Sequence, residues 1–122
     1  MMRFGLLVLA LSSILSAPTY AQSAVAAQGE KVFAEKKCSV CHLVGNVGNK
    51  KGPVLDGVGA KLTADEIRQW ITNAPEMATK ANIVRKPPMK AYTDFSKAEV
   101  DGLVSYILTL KKSSASASTS SR

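Results

Sequence analysis

All of the cysteine and histidine in this 122-residue chain lies in one pentapeptide, Cys38-Ser39-Val40-Cys41-His42. Two thiols three positions apart, with an imidazole beside the second, can act together on one object. Aromatic residues make up only 6% of the sequence. Small domains bury a modest fraction of their surface and commonly lean on a disulfide, a metal or a cofactor. What this pentapeptide holds therefore constrains what the rest of the chain can fold around.

The two ends read as lying outside the folding unit. Arg3 gives a positive start, "FGLLVLALSSIL" (Phe4 to Leu15) is mostly apolar, and Thr19-Tyr20-Ala21 ends on a small residue. This pattern predicts a secretory leader, residues 1–21, cleaved after Ala21. A retained membrane anchor is the alternative, but a spanning helix needs roughly 20 apolar residues and this run is shorter. "SSASASTSSR" (Ser113 to Arg122) offers nothing apolar larger than alanine and is expected to be disordered. The folding unit is then residues 22–112. Sixteen basic against nine acidic residues give a net charge of +7. That charge would steer the protein toward anionic surfaces. No groove-reading motif accompanies it, so nucleic acid is not an expected partner.

Three stretches carry helical periodicity. The first runs from about Ala24 to Lys36, with Val25, Gln28/Gly29, Val32 and Phe33 on one face and Lys36-Lys37 expected in its last turn. The second opens on "TADE", a capping box from Thr63 to Glu66, continues through Ile67, Trp70 and Ile71, and is expected to stop at Asn73-Ala74-Pro75. The third opens on "SKAE", Ser96 to Glu99. It carries Val100, Leu103, Val104, Ile107 and Leu108 as one stripe, closed by Lys111-Lys112. Between them, Gly45–Lys61 and Pro75–Phe95 read as long irregular loops, and no alternating strand is evident. The fold class is all-α. Loops of that length need something to pack on.

Cys-x-x-Cys-His is the attachment signal of c-type haem. Thiols three residues apart at a helix end can each reach one vinyl group on a porphyrin edge, and the adjacent imidazole can then coordinate iron. Three rival readings are weaker. A structural zinc site needs four ligands, and no cysteine or histidine remains beyond Cys38, Cys41 and His42. A thioredoxin-type pair needs a βαβ context. A local disulfide leaves His42 and both loops unexplained. His42 is the single histidine, so a second axial ligand must be something else. Beyond the leader the methionines are Met77 and Met89. Met89 follows Pro87 and Pro88, which fix φ and stiffen the segment, and it is the expected ligand; Met77 reads as filler.

At this point the chain resembles class I cytochrome c of the small bacterial type, over Gly29 to Leu110. The residues that carry the resemblance are "GEKVFAEKKCSVCH", "GPVLDGV", "IRQWITNAP", "PPMKAY" and "LVSYILTL". It implies three or more helices and long loops wrapped around one covalently bound haem. It implies that Gly29 and Phe33 pack on the last helix near Tyr106, and that the Pro53 carbonyl accepts from the outer nitrogen of His42. It departs from the family where many relatives place a proline after Met89 and this chain has Lys90.

With both axial places filled by His42 and Met89, the expected activity is one-electron transfer, not catalysis. Val44, Val54, Leu55, Val58, Ile67, Trp70, Ile71 and Leu103 are the candidate pocket. Trp70 is either a donor to a haem propionate or core, and Tyr92 either a loop or propionate hydrogen bond or packing. Lys36, Lys37, Lys50, Lys51, Lys86 and Lys90 are candidates for a docking ring facing donor and acceptor proteins with acidic surfaces. The expected form is a soluble monomer, exported to the bacterial periplasm. A haem c module of a larger membrane redox complex, or a ligand-binding haem protein with a displaceable methionine, are the alternatives.

Overall fold

The computed structural model describes residues 19–112. The Ser/Ala tail and nearly all of the expected leader lie outside the described residues. Five α-helices, one 3-10 turn and one minimal hairpin follow in order: α1 Thr19–Glu35, the 3-10 turn Cys38–Val40, β1 Leu43–Val44, β2 Val47–Gly48, α2 Val58–Lys61, α3 Ala64–Thr72, α4 Ala74–Lys80 and α5 Lys97–Thr109. No helix among the described residues is long and apolar enough to cross a membrane.

The centre of the fold is the crossing of α1 on α5. Gly29, Val32 and Phe33 are buried on α1; Val100, Gly102, Leu103, Val104 and Ile107 are buried on α5. A methyl group on Gly29 would land inside the carbonyl group of Gly102, so the two backbones touch here because Gly29 has no side chain. Phe33 and Tyr106 meet edge-on beside the crossing, with ring centroids 5.6 Å apart and planes at 63°. Ile67 and Ile71 of α3 and Leu55 complete the core. Arg68 of α3 reaches Asp101 of α5 at 2.7 Å. Both partners are solvent-accessible, so screening leaves that pair a minor contributor to stability.

Both expected capping boxes are present. The Thr63 side chain accepts from the Glu66 amide while Glu66 accepts from the Thr63 amide, and Ser96 and Glu99 do the same for α5. Other boundaries differ from the expectation. Helix α1 is already formed at Thr19, the first described residue, and Val25 is not on its buried face: residues 20–25 are all exposed. Lys36 and Lys37 fall beyond α1, and Lys111-Lys112 beyond α5, so none of them sits in a last helical turn. Lys36 instead pairs with Glu99 at 3.1 Å and lies over the Phe95 ring.

The two supposed loops are partly ordered. Gly45–Lys61 contains the turn and second strand of the hairpin, in which Gly48 lies opposite Leu43 and Val47 opposite Val44, and also the single-turn α2. Strands of two residues and a helix of four are too short to show a period. Pro75–Phe95 opens on α4, because Pro75 occupies the first turn, where a missing N–H costs nothing. Asn82, with φ 53°, ends α4 in the left-handed conformation that asparagine tolerates.

Candidate functional site

Helix α1 ends at Glu35, and Lys37 turns the chain sharply with φ 58° and ψ 35°. That conformation costs a non-glycine residue about 1–2 kcal/mol, so the structure around it must hold it in place. It delivers Cys38 directly into the 3-10 turn. The Cys41 and His42 amides both return to the Cys38 carbonyl, at 3.2 and 3.0 Å. Cys38, Cys41 and His42 are thus gathered on one compact turn, and the two thiols are free. Burial, more than the nearby Cys41, pushes the Cys38 thiol above its ordinary range.

These three side chains line a cavity of ≈ 420 Å³. Its walls are largely apolar: Leu55 and Val58, then Ile67, Trp70 and Ile71 of α3, Ala74 and Ala78 of α4, and Leu103 and Ile107 of α5. The segment from Ile83 to Tyr92 closes it, contributing Pro87, Pro88 and Met89. Tyr92 anchors that segment to α3 through its amide, which donates to the Ile71 carbonyl at 2.9 Å. Met77 lies on α4 and is half-buried, outside the lining.

His42 Nδ1 is 2.9 Å from the Pro53 carbonyl oxygen. A carbonyl only accepts, so in this contact Nδ1 carries the proton and Nε2 keeps its lone pair. Gly52 gives the ring its room: a Cβ there would stand 2.9 Å from His42 Cε1 and 3.1 Å from Nδ1. Trp70 is half-buried on the cavity wall, and its indole N–H has no partner among the described hydrogen bonds. Tyr92 lies against Phe95, with Lys90 Nζ 4.8 Å from the centre of its ring. Burial first, then the neighbouring Cys38 and Cys41, push the Tyr92 phenol upward.

Of the pocket residues expected from sequence, Val44 and Val54 do not line the cavity. Val44 packs on the hydrophobic core instead. Phe33, Leu62, Ile83, Phe95 and Ile107 line it and were not anticipated. Nor were Gly52 and Arg85. A glycine directly before Pro53 is a signal for close approach, and Arg85 could have been read from the same basic run as Lys86. The exposed cations Lys37, Lys51, Arg85 and Lys90 line the cavity, while Lys36, Lys50 and Lys86 do not.

The donor set suits a haem: two thiols for thioether bonds, an imidazole nitrogen with a free lone pair, a thioether sulfur, and an apolar cavity. Among the described residues, no group of three or more His, Cys, Asp or Glu is gathered as for a bare metal ion.

Comparison with known proteins agrees. The chain is 30% identical over 95 residues to cytochrome c oxidase subunit 2 of Alkalihalophilus pseudofirmus, an alignment covering 71% of this chain and 26% of that protein. The chain thus spans about a quarter of that relative's length. No solved structure matches the chain significantly. The family model for cytochrome c matches residues 26–111, from the middle of α1 to just past the end of α5. With that match over most of its length, the all-α fold and the Cys-x-x-Cys-His turn on the cavity wall, the chain belongs to the cytochrome c family.

Proposed function

We propose that residues 22–112 form an electron carrier in which one haem c, attached through Cys38 and Cys41, is held between His42 and Met89. The observation that carries this reading is that these four side chains, drawn from two distant segments, line the same apolar cavity. When bound, the haem supplies a one-electron Fe(III)/Fe(II) couple. His42, with Nδ1 committed to Pro53, offers Nε2 as a ligand of fixed tautomer. Met89 offers a soft sulfur on a segment stiffened by Pro87 and Pro88, and soft ligation favours the ferrous state. Leu55, Ile67, Ile71 and Leu103 exclude water and disfavour the additional charge of the ferric state. With both His42 and Met89 engaged in holding the haem, no protein position would be left for a substrate, and we assign no catalytic residue.

The rim of Lys37, Lys51, Arg85 and Lys90 supports docking of donor and acceptor proteins with acidic surfaces. A leader cleaved after Ala21 would make this a soluble monomeric carrier of the bacterial periplasm. The similarity to an oxidase subunit favours a second reading, a haem c module of a larger membrane redox complex. An intact leader on the exported protein, found by mass spectrometry, supports that second reading.

The test is the mass and visible spectra of the exported protein. The expected result is a covalent porphyrin and a low-spin, sulfur-ligated iron. Met89→Ala should turn the centre high-spin and open it to carbon monoxide, while Met77→Leu should leave the spectrum unchanged. A porphyrin-free mass or a high-spin parent overturns the reading, and ready carbon monoxide binding by the parent would favour a ligand-binding protein.

A further inference from the structure

Residues 41–45 and 52–56 run side by side as an irregular ladder. The Gly52 amide donates to the Cys41 carbonyl at 2.7 Å, His42 Nδ1 meets the Pro53 carbonyl at 2.9 Å, and the Leu55 amide donates to the Leu43 carbonyl at 2.9 Å. The last rung is a side chain: both carboxylate oxygens of Asp56 lie 3.0 Å from the Gly45 amide nitrogen. Asp56 enters none of the ion pairs formed among the described residues. Its charge is spent on one backbone N–H, and charge-assisted bonds of that kind are roughly twice as strong as neutral ones.

Two features make this rung matter. Pro53 has no N–H, so it cannot anchor itself and stays where its neighbours hold it. Gly45 stands at the hairpin turn with φ 57°, and Asp56 is the partner of its amide among the described hydrogen bonds. We propose that Asp56 is a positioning residue for His42: by clamping Gly45 it fixes the register of the ladder, and so keeps the Pro53 carbonyl on Nδ1. A hydrogen bond from the outer nitrogen raises the donor strength of the imidazole. Loosening it weakens the ligand and raises the reduction potential. The inference rests on His42 being the axial ligand.

The experiment compares Asp56→Asn with Asp56→Ala in the haem-loaded protein. Asparagine keeps an acceptor for Gly45 and removes the charge; alanine removes both. The readouts are hydrogen exchange of the His42 Nδ1 proton by NMR and the potential by spectroelectrochemistry. D56A should exchange that proton about tenfold faster than the parent or more, the equivalent of one charge-assisted hydrogen bond. D56N should stay near the parent, and the potential should rise further in D56A than in D56N. If D56A proves too unstable to load with haem, Asp56→Ser, whose shorter side chain cannot span the same gap, takes its place with the same expectation. Unchanged exchange in the acceptor-free variant, or equal potentials for the two, overturns the positioning role. A parent without a low-spin spectrum overturns the axial reading instead, and that outcome is visible before any variant is made.

Discussion

The two glycines at the α1–α5 crossing should respond to the same substitution in opposite ways. A methyl on Gly29 would overlap the Gly102 carbonyl and stand 2.8 Å from Tyr106 Cβ. The obstacle is backbone, so no side chain can rotate away and the helices must separate. A methyl on Gly102 meets nothing nearer than Gly29 Cα and N at 3.2 Å, which a few tenths of an ångström relieves. Overpacking costs about 1–3 kcal/mol, and alanine in a helix returns about 1 kcal/mol. Gly29→Ala falls at the upper end of that range, for a net loss of about 2 kcal/mol. Gly102→Ala should be neutral or more stable by up to about 1 kcal/mol. At about 4–8 °C per kcal/mol for a domain of this size, G29A should lower Tm by about 8–16 °C. The assay is thermal and urea denaturation of the oxidised, haem-loaded protein. Ultraviolet titration of Tyr106 adds a local probe: burial holds its phenol above the usual value, and separating the helices should bring it back down. Equal Tm changes for the two variants would refute the claim that a methyl has room at Gly102 and none at Gly29.

Other outcomes follow from the caps and ion pairs. Glu66, Glu99 and Asp101 are held below the ordinary carboxylate values of 4.5 for Glu and 3.8 for Asp, chiefly by hydrogen bonds from Thr63, Ser96 and Lys97. Their stabilisation is full above those ordinary values and is lost as pH falls through the lower folded ones, so the urea midpoint should begin to drop as pH falls past 4.5 and go on dropping below 3.8; Glu99→Gln should flatten that drop. Ser96→Ala should cost about 1 kcal/mol in the same assay at neutral pH. Lys36→Met keeps the apolar stem but loses Glu99 and the Phe95 face, and should lower the urea midpoint by an amount that diminishes with added salt. Lys51→Glu with Arg85→Glu should flatten the ionic-strength dependence of electron transfer to an acidic partner, measured by stopped flow, and leave the spectrum unchanged.

What was legible in the sequence was local. The capping boxes at Thr63 and Ser96 need only four residues each, and both formed. The stripe from Val100 to Ile107 repeats often enough to show its period, and it is buried. Helix α4 was missed because Pro75 reads equally as a stop or as a first-turn start, and only the path of the chain decides which. Val25 fits the α1 pattern, yet it is 41% exposed, because periodicity says which face is apolar and not how far along the helix its partner reaches. Val44 and Val54 were sensible apolar candidates by adjacency, but the residue next to a site along the chain can point into a different part of the fold. Asp56 carried no signal, since its partner is a backbone amide eleven positions away.

The crossing of Gly29 on Gly102 has a bearing on the order of events in assembly. It shuts a loop that contains every residue lining the cavity except Leu103 and Ile107, which follow Gly102 on α5. Closing so long a loop is entropically slow relative to forming a turn. A chain made from its amino end presents Cys38 and Cys41 well before α5 exists to receive α1. Attachment chemistry at the two thiols can therefore meet an open polypeptide, and the last helix then locks around a cargo already in place.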